Sequence, residues 1–176
     1  MICGPMFAGK TTELLRRIRT EPPPAYAIKP ARDTRYSVAA LVTHDGDRLP
    51  AHAVADAAEL ERWALGRLDA VGPLTLGIDE AHFFGAALAP VCARLIARSA
   101  RLVVAGIERD HLGRPFEPFP ALLCEADEVV KRSSRCVRCG GEAVHSQRMV
   151  KSDAAIVVGG AESYEVRCRA CFEPPG

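Results

Sequence analysis

The chain opens on the feature that most limits what it can fold into. Residues Gly4, Pro5, Met6, Phe7, Ala8, Gly9, Lys10, Thr11 and Thr12 spell the pattern Gly-x-x-x-x-Gly-Lys-Thr-Thr. A loop of this form curls its backbone N–H groups around phosphate oxygens, its lysine reaches the β- and γ-phosphates, and the hydroxyl after it coordinates Mg²⁺. Gly4 to Thr12 are therefore assigned to ATP binding, with Thr11 toward magnesium. Such a loop is entered from a strand and left through a helix. The helix is legible, because Leu14, Leu15 and Ile18 recur at helical spacing opposite Glu13, Arg16, Arg17 and Arg19, which predicts a half-buried helix over 11–19. The strand is short. Only Met1, Ile2 and Cys3 precede Gly4, against a usual strand of about five or six residues, and this points to a start further upstream.

Beyond Pro22, Pro23 and Pro24, which end the helix, 26–29 reads as a short strand leading into the polar stretch 32–35. Residues 43–49 are mostly polar and include Gly46, which predicts a mobile loop. Leu60, Trp63, Ala64 and Leu68 mark a second helix, and Leu88, Val91, Cys92, Leu95 and Ile96 a third. The third lies between apolar runs of strand length at 74–78 and 102–105. Strand, helix, strand implies an α/β fold whose parallel sheet is covered by helices, with ligands at the carboxyl ends of the strands. Asp79 and Glu80 end the first of those runs on that edge. Asp79 suits Mg²⁺. Glu80 suits a general base acting on a substrate hydroxyl. The plainer alternative is a carboxylate pair that caps the sheet edge.

Composition changes near residue 130, so a nucleotide-binding domain is expected over 1–130 and a small zinc-binding subdomain over 131–176. Seven cysteines, an odd number in a chain of 176 residues, argue against a disulfide scaffold. Cys136 with Cys139 and Cys168 with Cys171 form two matched pairs separated by 28 residues, which suits a closed Cys₄ zinc site. A redox motif needs one such pair. Cys3, Cys92 and Cys124 read as core, and Arg132, Arg135, Arg138, Arg148 and Lys151 as a solvated surface with a smaller chance of touching phosphate. A net charge of +1 gives no support to nucleic acid or an anionic membrane as partner. No bilayer-length apolar run and no signal peptide are present, which places the chain in the cytoplasm. Residues 79–82 also spell a helicase box, but ATP-driven motors of that kind use two similar domains and this length holds one.

Six segments in order resemble the thymidine kinases of the type found in bacteria and animal cytosol. GPMFAGKTTELLRR resembles that family's GPMFSGKSTEL, ARDTRYS its KDTRYS, and GIDEAHFF its GIDEAQFF. GIERDHLGRPF resembles GLDxDFRGxPF, CVRCG with its following QR resembles the first zinc knuckle and its sequel, and VVGGAESYEVRCRAC resembles VGGxExYxxxCRxC. The resemblance implies a P-loop kinase core with a zinc-ribbon and lasso subdomain. It further implies transfer of the γ-phosphate of ATP to the 5′-hydroxyl of thymidine, with deoxyuridine a second substrate, in a homotetramer. Glu80 would be the base, Asp79 and Thr11 the magnesium ligands, and Lys10 the phosphate contact. A zinc-anchored lasso over about 142–164 would bring Ser146, Val157 and Tyr164 to the nucleoside, with Met6, Asp33, Arg35, Phe83 and Phe116 completing the pocket. His82, Glu108 and His111 depart from the pattern, which has Gln, Asp and an aromatic ring of the nucleoside pocket there; His111 is still counted with the substrate-binding residues, because its planar ring can stack. Competing readings are a catalytically impaired nucleotide-binding protein and a nucleic-acid-stimulated ATPase.

Overall fold

In a computed structural model of the chain, residues 1–33, 40–43, 46–152, 154 and 156–174 are described. Arg35 and His44 lie outside them.

A seven-stranded sheet forms the frame. Its strands are β1 (Ile2–Cys3), β2 (Ala25–Pro30), β3 (Ala40–Val42), β4 (Arg48–Val54), β5 (Leu74–Ile78), β6 (Ala100–Gly106) and β7 (Val130–Lys131), in the spatial order β3-β4-β2-β5-β6-β1-β7. Every pairing is parallel except that of β3 with β4. The helices are α1 (Lys10–Thr20), α2 (Ala57–Val71), α3 (Leu88–Ala97) and α4 (Phe119–Glu125), with a 3₁₀ stretch at Ala81–Ala87.

Period-two alternation divides the core between the two sheet faces. Ile2, Ala27, Val103 and Ala105 meet Leu14, Leu15 and Ile18 of α1 on one face. Cys3, Ile28, Leu74, Leu76, Ile78 and Val104 meet α2, α3 and Phe119 on the other. Strand β1 is two residues long, yet it sits between β6 and β7 with Cys3 opposite both Gly106 and Lys131. Pairing on both edges compensates for its length and carries the chain to Gly4 at the carboxyl edge. β7 crosses the boundary expected at residue 130.

Two expectations are corrected here. Residues 43–49 are not one loop, since β4 begins at Arg48 and the turn before it is tied by Thr43 N to Asp47 O at 2.9 Å and Asp47 N to Thr43 Oγ1 at 3.0 Å. Polar Arg48 and Pro50 masked a strand whose side chains alternate between half-buried and exposed up to buried Val54. Cys124 is exposed, because the short helix α4 turns Phe119 and Leu122 inward instead. Among the histidines, His52 stacks on Trp63 with ring centres 4.7 Å apart, and buried His145 stacks on Phe172 at 4.2 Å.

The remaining elements are two small antiparallel ladders, β8 (Ser134–Arg135) with β9 (Glu142–Ala143) and β10 (His145–Arg148) with β11 (Tyr164–Arg167). They carry the cysteine pairs.

Strand β5 passes close under α1 at Gly77, where a Cβ would lie 2.6 Å from Ile18 Cγ1 and 3.3 Å from Leu14 Cδ1. Gly77→Val forces that packing apart, and chemical denaturation is expected to show a loss of about 1–3 kcal/mol.

Candidate active site

The glycine-rich loop joins β1 to α1. Gly4, at φ 147°, lies so close to the chain at Arg132 that a Cβ would collide with that residue's carbonyl oxygen. Gly9, at φ 69°, is the residue before α1 and turns the chain into the helix through the left-handed region, which glycine enters at little cost. The helix N-terminus thus faces the loop, a ready site for anions. Lys10 is buried and its Nζ donates to Pro5 O at 2.6 Å, which folds the lysine across the loop.

Asp79 and Glu80 follow β5 on the same edge. Thr11 Oγ1 donates to Asp79 Oδ2 at 2.9 Å, and Glu80 N donates to Asp79 Oδ1 at 2.9 Å. Both oxygens of Asp79 are therefore engaged. Burial, followed by the neighbouring Glu80 carboxylate, pushes the Asp79 pKa up to about 7, while the Thr11 hydrogen bond acts the other way. A buried carboxylate next to a half-buried one and a hydroxyl is a donor set suited to a hard divalent cation, whose charge would relieve that repulsion. Glu80 sits at φ 48°, in the left-handed region where a non-glycine residue is strained, and it opens the 3₁₀ stretch. Its Oε2 lies 3.5 Å from His82 Nδ1.

Two concavities flank this edge. One has about 460 Å³ of atom-free space, part of it open to solvent, and its lining includes Met6, Phe83, His111, Phe116, Val157 and Tyr164. Ser146 lines it too and accepts from Met6 N at 3.0 Å, which joins the phosphate loop to β10. Tyr164 Oη donates to Val157 O at 2.9 Å and holds the wall from the lasso side. The loop after β6 folds back through Phe116 N to Glu108 O at 3.0 Å, which returns Phe116 to the pocket. Of the expected pocket residues, Asp33 lies elsewhere. It lines the second cleft with Lys29, Thr11, Asp79 and Glu80, and its Oδ2 is 4.0 Å from Lys29 Nζ.

Three residues make contacts that their sequence signals did not show. Lys29 is buried at the end of β2 beside the carboxylates, and a lone lysine closing an apolar strand is a weak signal. Arg132 is exposed, as expected, but it also touches the phosphate loop. Its backbone N donates to Cys3 O at 2.7 Å, its Nε donates to Ala8 O at 2.9 Å, and so it grips the phosphate loop at both ends. Arg148, also expected at the surface, is 8% exposed and donates to the carbonyls of Ser152 and Ala154 at 3.0 and 2.8 Å. Arg135, Arg138 and Lys151 are exposed as expected.

At the far end of the small ladders, one sulfur from each of Cys136, Cys139, Cys168 and Cys171 lies within 4.8 Å of the others. Each pair sits in a tight turn, with Gly140 N donating to Cys136 O at 2.8 Å and Phe172 N to Cys168 O at 3.0 Å. Four thiol sulfurs at this spacing suit tetrahedral zinc without an open position.

Comparison with known proteins finds relatives along nearly the whole chain. The family model described as thymidine kinase matches residues 1–172. The thymidine kinase of Rhodothermus sp. (strain ITI 518) is 41% identical over 178 residues, spanning 99% of this chain and 81% of that protein. That of Coprothermobacter proteolyticus is 42% identical over 185 residues, spanning 100% and 90%. That of Bdellovibrio bacteriovorus is 38% identical over 179 residues, spanning 99% and 84%.

Elemental analysis of the purified protein is expected to find about one zinc per chain. Cys136→Ser and Cys171→Ser should each lose most of it and leave residues 149–163 open to proteolysis, because the ladders have only a small apolar cluster of their own.

Proposed function

This chain belongs to the thymidine kinase family, and from that premise we propose that it transfers the γ-phosphate of ATP to the 5′-hydroxyl of thymidine, giving thymidine monophosphate and ADP. Deoxyuridine is the natural second substrate. The observation that carries the reading is the meeting of three parts on one sheet edge: the phosphate loop, the Asp79–Glu80 pair and the aromatic pocket joined to the loop through Met6 and Ser146.

In this reading the backbone N–H groups between Gly4 and Thr12 and the Lys10 ammonium hold the β- and γ-phosphates. Lys10 would exchange its present acceptor, Pro5 O, for phosphate oxygen. Thr11 and Asp79 would hold Mg²⁺, which when bound neutralises charge on the phosphate oxygens. Phe83, Phe116, His111, Val157 and Tyr164 enclose the base, and Ser146 and Met6 keep that wall in register with the loop. Glu80 takes the proton from the 5′-hydroxyl as its oxygen bonds to the γ-phosphorus, and the bond to the β–γ bridging oxygen breaks. Positioning and charge carry most of the rate. Asp33, which lines the cleft beside Glu80, belongs in this proposal to the approach to Glu80 rather than to the base.

The four cysteines would hold a structural zinc that anchors the lasso, residues 131–176 acting as a unit on the domain of residues 1–130. The homotetramer and the cytoplasmic setting are part of the proposal and rest on the resemblance. Among the described residues no helix is long and apolar enough to cross a membrane.

Incubation with ATP, Mg²⁺ and thymidine, followed by chromatography, should yield thymidine monophosphate and ADP in equal amounts. Glu80→Gln is expected to lower kcat by about 100-fold or more while both KM values stay within a few-fold; a variant of full rate would remove Glu80 from its role. Arg132→Ala frees the Ala8 carbonyl that shapes the phosphate loop, so KM for ATP should rise by about three- to tenfold, with a smaller change for thymidine.

A further inference from the structure

His111 stands on a turn that is itself fixed. Gly113 N donates to Asp110 O at 3.0 Å, and Asp110 Oδ1 accepts from Leu112 N and Arg114 N at 2.9 and 2.8 Å. The ring is 2.9 Å from Arg148, Nδ1 to Nη2. A guanidinium has only N–H donors and keeps its charge in proteins, so Nδ1 must be the acceptor. An imidazole whose Nδ1 accepts is neutral and carries its proton on Nε2. The tautomer follows from the chemistry of the partner, and the partner has little freedom to move. Arg148 is buried in β10 and its other nitrogen holds the carbonyls of Ser152 and Ala154.

Both residues line the pocket assigned above to the nucleoside. We propose that His111 is a specificity-determining residue of that pocket: held by Arg148 as the neutral Nε2–H tautomer, it donates a hydrogen bond to an oxygen of the nucleoside. A phenyl ring in this place could supply area but no donor. The inference rests on the nucleoside reading and extends it, since it names a polar contact that selects for an acceptor oxygen on the ligand. A base carbonyl and a sugar hydroxyl are the two sources of such an oxygen.

The charges around the ring set the sign of its pH response. Burial first, and then the Arg148 charge, lower the His111 pKa from its ordinary value; Asp110 raises it and Arg114 lowers it further. The Asp110 carboxylate is already engaged by two backbone N–H groups of its own turn. The ring is thus neutral at neutral pH. In acid it gains a proton on Nδ1, which then faces a guanidinium instead of accepting from it. The contact to Arg148 is lost, and with it the tie between the pocket wall and the carbonyls at 152 and 154.

The test has two independent readouts on the full, zinc-loaded protein. Side-chain ¹⁵N–¹H correlation spectra at neutral pH should show His111 unprotonated at Nδ1 and protonated at Nε2; a proton on Nδ1 overturns the inference whatever the activity. In steady-state assays, His111→Phe should raise KM for thymidine by about tenfold, with the loss in KM rather than in kcat, and His111→Gln, which keeps a donor, should recover part of it. Thymidine KM of the unaltered enzyme should climb as the pH falls below the ordinary histidine range, and that climb should flatten in His111→Phe. An unchanged KM, or the same climb in the variant, overturns the donor role. Repeating the comparison with 3′-deoxythymidine, 2-thiothymidine and 4-thiothymidine identifies the oxygen, because the penalty of His111→Phe should vanish for the analogue that lacks it. Failure to phosphorylate any pyrimidine nucleoside would sink the nucleoside reading and the donor role together, whereas an active enzyme with the wrong tautomer sinks this inference alone.

Discussion

The hydrogen bond from Thr11 Oγ1 to Asp79 Oδ2 joins the first turn of α1 to the end of β5 across the sheet edge, and the chemistry assembled there depends on it. It places the phosphate loop against a buried carboxylate whose other oxygen is held by the next residue's own N–H. Burying Asp79 beside a second, half-buried acid is costly without a compensating positive charge. The Lys10 ammonium, the α1 N-terminus and Lys29 supply part of that charge, and a divalent cation on Asp79 would supply more. The strained backbone at Glu80 belongs to the same arrangement, because φ 48° turns the chain sharply from the strand into the 3₁₀ stretch and keeps the second carboxylate on the edge.

The small C-terminal ladders are coupled to this edge rather than appended to it. Ser146 accepts from the phosphate loop, Arg148 meets His111, and Arg132 grips both ends of the loop before the ladders begin. Segments with few apolar contacts of their own are easily opened. Here the cysteine cluster holds one end and the polar contacts to the core hold the other. That division explains why β10 consists of four buried residues of largely polar type, His145–Arg148. Gln147, for example, exchanges two hydrogen bonds with the backbone of Glu173, at 2.8 and 2.9 Å.

Much of the fold was legible in advance because its signals are local. The helical spacing of Leu14, Leu15 and Ile18, the apolar run at 74–78 and the paired cysteines each record a periodicity or a coordination chemistry that the chain must obey. The parts that were not legible run against local signals. β4 carries Arg48 and Pro50 on an edge-proximal strand, Arg148 is polar but buried, and Cys124 is apolar in type but exposed. The strand is decided by its pairing with β2 and Arg148 by its meeting with His111, both distant in sequence, whereas Cys124 is turned outward by the face that α4 buries.

The sequence by itself determined the phosphate loop, the acidic pair, the two cysteine pairs and membership of the family, because these are carried by residue types at fixed short spacings. Only the tertiary structure decided that β1 delivers the loop to the carboxyl edge from between β6 and β7, which pair with it on either side. It also decided that Asp33 faces the carboxylate cleft while His111 faces the pocket, that Arg132 turns back onto the loop, and that Arg148 sets the proton on His111. The physical reason is the same throughout. A hydrogen bond or an ion's cradle is defined by a few ångströms in space, and residues more than a hundred positions apart, such as Ala8 and Arg132, are brought within that range only by the folded sheet.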